Sequence, residues 1–141
     1  MRQNTIDLTV HWGDTDMAGI IYYPNYFHWF DIGAHRLFNK IGIRPKEMMF
    51  EEKIGLPIID VGCTFYKPLY YNDEIRITSK ITEVSEKTFR VEHEVYRGEE
   101  LTGKGYELRG WVKFTDGKLR AVPISEDARR KMLAEDMQPS A

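Results

Sequence analysis

A single cysteine, Cys63, stands among 141 residues. That excludes an intrachain disulfide framework and a cysteine-built zinc cluster. The four histidines are scattered without a metal-ligand spacing. Positive charge is not in excess: 20 Lys and Arg against 22 Asp and Glu leave a formal net charge of −2. No broad basic field therefore exists for nucleic acid, although local cations could still hold a small phosphate-bearing ligand. No apolar run is long enough to span a bilayer, and the segment Met1-Arg2-Gln3-Asn4-Thr5-Ile6-Asp7 lacks a signal-peptide core, so a cytoplasmic location is expected. A Gly-x-x-x-x-Gly-Lys phosphate cradle and a serine nucleophile elbow are both missing. Without repeats, low-complexity tracts or linkers, the chain reads as one domain over 1–141, with about 137–141 a frayed tail.

Aromatic residues are plentiful, with eight Tyr, seven Phe and three Trp. They offer flat surfaces for a core, an interface or an aromatic ligand. Thr5 to Trp12 alternates, with Ile6, Leu8, Val10 and Trp12 on one face, and predicts a first strand. The period then changes. Phe27, Phe30, Ala34, Leu37, Phe38 and Ile41 recur at helical spacing, with Pro24 suited to the first turn and Gly42 to the stop. Tyr26 and Trp29 widen the apolar arc, so this helix should be embraced by other structure. Alternation returns over 59–65, 75–82, 89–95 and 106–114, with turn residues at Tyr71-Asn72-Asp73, Arg97-Gly98-Glu99 and Asp116-Gly117-Lys118. These patterns predict an α+β domain with an antiparallel sheet covered on one face. Ser125, Glu126 and Asp127 read as the cap of a short last helix. Cys63 falls on the apolar side of its strand, as a small core residue does.

The segment from His11 to Tyr26 carries the chemistry. Asp14 and Asp16 precede a glycine turn and then a helix that Pro24 opens, where backbone N–H groups lack partners within the helix. A carboxylate beside a helix end that can bind an oxyanion suggests acyl chemistry. A loop aspartate more often just caps its turn, and that is the better reading for Asp14. Asp31 and His35 stand four apart on the helix, which permits a hydrogen-bonded pair. A surface pair at a subunit contact is favoured over a dyad that activates water.

The run Gly13-Asp14-Thr15-Asp16-Met17-Ala18-Gly19-Ile20-Ile21-Tyr22-Tyr23-Pro24-Asn25-Tyr26 closely resembles the start of the 4-hydroxybenzoyl-CoA thioesterase family of hotdog-fold enzymes. The likeness continues through Trp29 and Asp31, Leu56-Pro57-Ile58, Lys87-Thr88-Phe89 and Leu119-Arg120-Ala121, nearly the whole chain. The resemblance implies a hotdog fold, a sheet wrapped around a long central helix, and hydrolysis of an acyl-CoA thioester, preferably an aryl one such as 4-hydroxybenzoyl-CoA. It marks Asp16 as the catalytic carboxylate, acting as nucleophile through a mixed anhydride or as general base. It also implies that the Tyr23 backbone N–H polarises the thioester carbonyl, and that Asp31 reaches a ring hydroxyl. Tyr26 and Trp29 are further candidates for substrate binding. Lys87 and Arg120 match phosphate contacts of coenzyme A, but Ser85 and Glu86 replace arginines of the family pattern, which leaves Arg90, Lys118 and Arg129 as candidate substitutes.

The resemblance further implies homodimers that assemble into homotetramers, with the site at a subunit boundary and no metal or redox cofactor. A short-chain acyl-CoA thioesterase of the Tol–Pal-associated kind shares the aspartate motif. There a His commonly follows the tyrosine before the helix, whereas this chain has Pro24. An acyl-CoA-binding protein without hydrolytic activity is the alternative of another class, since a fold alone does not imply activity.

Overall fold

A computed structural model describes residues 1–136. The frayed tail expected over 137–141 lies outside the described residues. Strand β1 covers Gln3–Thr9, helix α1 Asn25–Ile41 and helix α2 Pro45–Glu52. After them come β2 (Ile54–Gly55), β3 (Ile58–Phe65), β4 (Glu74–Val84), β5 (Thr88–Arg97), β6 (Glu100–Gly110), β7 (Val112–Thr115), β8 (Lys118–Ala121) and helix α3 (Glu126–Leu133). The main sheet is antiparallel, in the order β1-β4-β5-β6-β3, and β2-β7-β8 form a small second sheet. Among the described residues no helix is long and apolar enough to cross a membrane.

The long sheet covers one side of α1, as the hotdog architecture requires. Tyr26, Trp29, Phe30, Ala34, Leu37, Phe38 and Ile41 are buried along that helix. Their removal from water is the main favourable term holding helix to sheet, roughly 1.5–3 kcal/mol for each large side chain. One apolar cluster gathers Tyr26, Trp29 and Phe30 with Val10, Leu69, Ile77 and Val95. A second joins Leu37 and Phe38 to Phe89, Trp111, Ile124 and Met132.

Two expectations need correction, and one helix was not foreseen. The first strand ends at Thr9, and Trp12 opens a 3-10 turn over Trp12–Asp14 with its ring 74% exposed. The alternation ran on by chance where a capping carboxylate, Asp14, bends the chain. The strand expected over 106–114 is broken at Trp111, whose N–H donates to the Lys87 carbonyl while its own carbonyl accepts from Val122. These bonds turn β7 out of the main sheet and onto β2 and β8. Helix α2 has almost no apolar face and no buried residue, so periodicity did not announce it.

Candidate active site

The loop between β1 and α1 is a small hairpin held by backbone bonds. Thr15 bridges Ile21, the Asp16 N–H donates to the Ile20 carbonyl at 2.9 Å, and the Tyr22 N–H donates to the Asp14 carbonyl at 2.8 Å. The Asn25 side chain donates to the same Asp14 carbonyl at 2.8 Å, which ties the hairpin to the first residue of α1. At the tip, Gly19 has φ 81°, a conformation that excludes an ordinary side chain, and its N–H donates to the Asp16 carbonyl. The Ile21 N–H donates to the Leu69 carbonyl at 2.9 Å, docking the hairpin on the loop before β4.

The two aspartates separate by role. Asp14 Oδ2 accepts the His11 N–H at 2.8 Å, so Asp14 supports the loop. Asp16 is exposed; its Oδ1 accepts the Ala18 N–H at 2.8 Å, and Oδ2 accepts no bond among the described residues. One oxygen thus fixes the carboxylate while the other faces solvent, ready to take a proton or attack a carbonyl.

Tyr23 follows on the returning arm, directly before the helix. Its neighbours' N–H groups are used: Tyr22 donates to Asp14, Asn25 to Tyr22 and Tyr26 to Tyr23, while Pro24 has none. The Tyr23 N–H has no acceptor among the described residues. Pro24 precedes the first helical residue instead of occupying it, with a helical φ of −62°. Its ring ends the donor series there, so the free N–H stands just outside the helix start. Beside Tyr23 lies a hollow of about 280 Å³, lined by Ile20, Ile21, Phe65, Tyr66 and Lys67 as well. A backbone donor, a positioned carboxylate and an apolar recess are the parts that acyl transfer requires.

Other predicted residues fall elsewhere. Tyr26 and Trp29, the further candidates for substrate binding, are 0% and 4% exposed and turned into the core. They lie on the arc of α1 that faces the sheet, where the Tyr26 hydroxyl donates to Thr102 Oγ1 at 3.3 Å. Burial pushes the Tyr26 phenol above its ordinary pKa. Asp31 is half-exposed, and its Oδ1 sits 2.9 Å from an Arg109 guanidinium nitrogen and 3.3 Å from His35 Nδ1. The His35 Nδ1 hydrogen bond goes to the Asp31 carbonyl at 3.0 Å, so Arg109 is the side-chain partner that holds the carboxylate. Cys63 packs against the core as expected, and burial pushes its thiol up to about 11.

Lys87 and Arg120 are exposed at the far end of the strands. The Lys87 carbonyl accepts from Trp111, and Arg120 shares a hollow of about 310 Å³ with that tryptophan. Among the substitutes, Arg129 is occupied, donating to the Ser85 and Glu86 carbonyls at 2.8 and 3.1 Å and bracing the hairpin. Arg90 lies 4.0 Å over the Tyr106 ring. Lys118 shares a separate hollow of about 410 Å³ with Arg120.

Beneath α1 runs a polar network that strand periodicity did not foretell as a unit. Ser79 Oγ is 2.8 Å from His93 Nδ1, and His93 Nε2 is 2.8 Å from Glu107 Oε1. Glu107 Oε2 accepts from Arg109 at 2.7 Å. His93 is fully buried and stacks on Phe30 with ring centroids 4.5 Å apart. The signal available in the sequence was His93 within the apolar frame of Phe89, Val91 and Val95, and opposite charges two apart at Glu107 and Arg109. Buried Ser79 and His93 have no solvent access, so their resemblance to a nucleophile and its base carries no chemistry.

A sheet wrapped around one helix, with a carboxylate loop at the helix start, defines the hotdog thioesterase class. The profile of the thioesterase-like superfamily matches residues 10–132. The chain belongs to that superfamily. It is 30% identical over 133 residues to the 4-hydroxybenzoyl-CoA thioesterase of Pseudomonas sp. (strain CBS-3), covering 89% of this chain and 94% of the relative. A 1,4-dihydroxy-2-naphthoyl-CoA hydrolase of Crocosphaera subtropica is 28% identical, with 69% and 71% covered. Among solved structures, a gentisyl-coenzyme A thioesterase superposes with a TM-score of 0.80 at 32% identity, covering 93% of this chain and 100% of that one. A mutant 4-hydroxybenzoyl-CoA thioesterase complexed with 4-hydroxybenzoyl-CoA reaches 0.88 at 29% identity, covering 94% and 99%.

Proposed function

We propose that this enzyme hydrolyses an aryl-CoA thioester, 4-hydroxybenzoyl-CoA or a related hydroxylated aromatic acyl-CoA, to the free acid and coenzyme A. The observation that carries the reading is the free Tyr23 N–H at the start of α1, beside the hairpin that presents Asp16. The N–H polarises the thioester carbonyl, helped by the positive end of the helix dipole. Asp16 then either adds to the carbonyl, giving a mixed anhydride that water cleaves, or takes a proton from the attacking water. In both routes thiolate leaves as coenzyme A. Relatives that act on 4-hydroxybenzoyl-CoA, gentisyl-CoA and dihydroxynaphthoyl-CoA support the aromatic acyl group, and in this reading Asp31 takes the ring hydroxyl.

The active unit in this reading is a pair of chains. Within one copy, Asp16 and Tyr23 sit where β4 begins, whereas Lys87 sits beyond its end. The 11 residues of β4 span ~35 Å at ~3.3 Å each. Strand β3 is a free edge of the sheet with Ile59, Val61 and Phe65 exposed at 58%, 38% and 45%. Twofold antiparallel pairing along that edge would cover it and bring the loop end of one copy to the cationic end of the other. Lys87 and Arg120 then meet the phosphates of a thioester held at the other copy's Asp16. A cytoplasmic homotetramer built from such dimers, with no cofactor beyond the substrate's own coenzyme A, completes the reading.

Thiol release from a panel of benzoyl, 4-hydroxybenzoyl, phenylacetyl and short aliphatic CoA thioesters tests it. The wild type should favour the aryl thioesters, and Asp16→Asn should lose at least about 100-fold in kcat. Tight binding without thiol release would overturn the enzymatic reading, and full turnover by Asp16→Asn would overturn the catalytic assignment alone. Labelled oxygen found in Asp16 after a single turnover in labelled water would establish the anhydride route with water attacking the Asp16 carbonyl, because general-base catalysis never bonds the entering oxygen to Asp16.

A further inference from the structure

The aryl-CoA reading leaves open why Asp31, on an exposed helix face, should be a reliable contact for a ring hydroxyl. The network beneath α1 supplies a reason. Arg109, 5% exposed, is a three-way fork. Its Nη1 donates to the Leu56 carbonyl at 2.8 Å, and its Nη2 donates to Glu107 at 2.7 Å and to Asp31 Oδ1 at 2.9 Å. The guanidinium also lies 5.5 Å from the centre of the Phe38 ring. Glu107 is held in turn by His93, and His93 by Ser79. Because a carboxylate only accepts, His93 Nε2 donates to Glu107, and in the neutral imidazole Nδ1 then accepts the Ser79 hydroxyl. A chain of hydrogen bonds thus runs from the middle of the core to Asp31.

We propose, on the basis of the aryl-CoA reading, that Arg109 is the positioning residue that makes Asp31 a selector for ring-hydroxylated acyl groups. Arg109 donates to Oδ1, with His35 Nδ1 3.3 Å away and bonded to the Asp31 carbonyl, while Oδ2 has no partner among the described residues. The clamp fixes the side chain so that the free oxygen is presented without ordering cost on binding. A ring hydroxyl donates to that oxygen. An unsubstituted ring covers the same oxygen and leaves it without a partner, which penalises the analogue. Arg109 touches no substrate, and its effect passes through Asp31.

The test is the ratio of kcat/KM for 4-hydroxybenzoyl-CoA to that for benzoyl-CoA, measured in the wild type, Asp31→Asn, Arg109→Lys and the double variant. Asp31→Asn should lower the ratio about 10- to 100-fold, the range of a hydrogen bond to a charged group. Lysine keeps the buried charge but cannot fork, so Arg109→Lys should lower the ratio at least ~5-fold, and should lower it no further in the Asp31→Asn background. An Arg109→Lys protein that loses activity equally on both thioesters, or that still changes the ratio without Asp31, overturns the proposal and leaves the aryl-CoA reading standing. A wild type that cleaves no aryl-CoA overturns both. Should Arg109→Lys fail to fold by circular dichroism, nitrogen-15 NMR of Asp16→Asn protein decides. The Arg109 side-chain resonances should move with 4-hydroxybenzoyl-CoA and stay in place with benzoyl-CoA, and equal movement overturns the proposal.

Discussion

Substituting Gly33 with alanine probes the contact between α1 and the buried network. A Cβ built at Gly33 falls 2.5 Å from Ser79 Oγ, and its next neighbours, Ile77 Cγ2 and His93 Nδ1, are at 3.6 and 3.7 Å. Ser79 is 1% exposed and has no room to retreat. It can avoid the methyl group only by rotating its hydroxyl away from His93, breaking a 2.8 Å bond and leaving a buried nitrogen without its donor. That loss costs ~1–3 kcal/mol. Alanine recovers ~0.5–1 kcal/mol over glycine in a helix interior. The net expectation is destabilisation by ~0–2.5 kcal/mol, about 1 kcal/mol in the middle of these ranges, and at ~3–4 °C per kcal/mol for a chain of this size Tm falls by up to ~10 °C. Paired with Ser79→Ala, the same substitution should cost nothing further, because the colliding oxygen is gone. Urea and thermal unfolding of the two single variants and the double variant supply the measurement. A Gly33→Ala protein more stable than the wild type, or single effects that simply add, would refute the reasoning.

Two further outcomes follow from the site and its surroundings. Burial, the largest cause, raises the Cys63 thiol to about 11. The thiolate is therefore scarce below that pH, and iodoacetamide should label Cys63 on the order of 100-fold more slowly at pH 8 in the folded protein than in urea. The rate should climb about tenfold per pH unit toward 11, whereas labelling at the unfolded rate would contradict the burial. Replacing Lys87 and Arg120 together with alanine should raise KM for CoA thioesters about 10-fold at low salt, and less at high salt, where surface charges are screened. A pantetheine thioester without the nucleotide should be unaffected. Equal losses on both substrates would remove these cations from phosphate binding.

Much of the candidate site is legible in the sequence because it is local. Asp14, Asp16, Gly19 and Tyr23 lie within ten residues, and most of the bonds that shape them close between His11 and Asn25. The apolar arc of α1 was readable for a similar reason, since a periodicity of 3.6 is set by the helix alone. Its consequence for Tyr26 and Trp29 was harder to foresee. A family motif groups them with functional neighbours, whereas the sheet claims their rings. Strand β6 shows the limit most clearly. Its alternation is real, but the covered face holds Gly103, Gly105, Glu107 and Arg109 in place of Tyr106 and Leu108. Small residues make room for the aromatic rings of α1, and the charged pair finds partners on other elements. Neither condition is visible within the strand.

The amino-acid sequence by itself determined the order of strand, helix and strands, the carboxylate loop and the proline that ends the donor series before α1. Each depends on residues close together in the chain, where periodicity, φ restriction and capping act directly. Only the tertiary structure decided that Asp31 answers to Arg109, 78 residues away, and that Arg109 answers to Glu107, His93 and Ser79. Partners so distant are chosen by register and burial. A buried polar group must find its complement wherever the fold places one, and no local pattern says where that is.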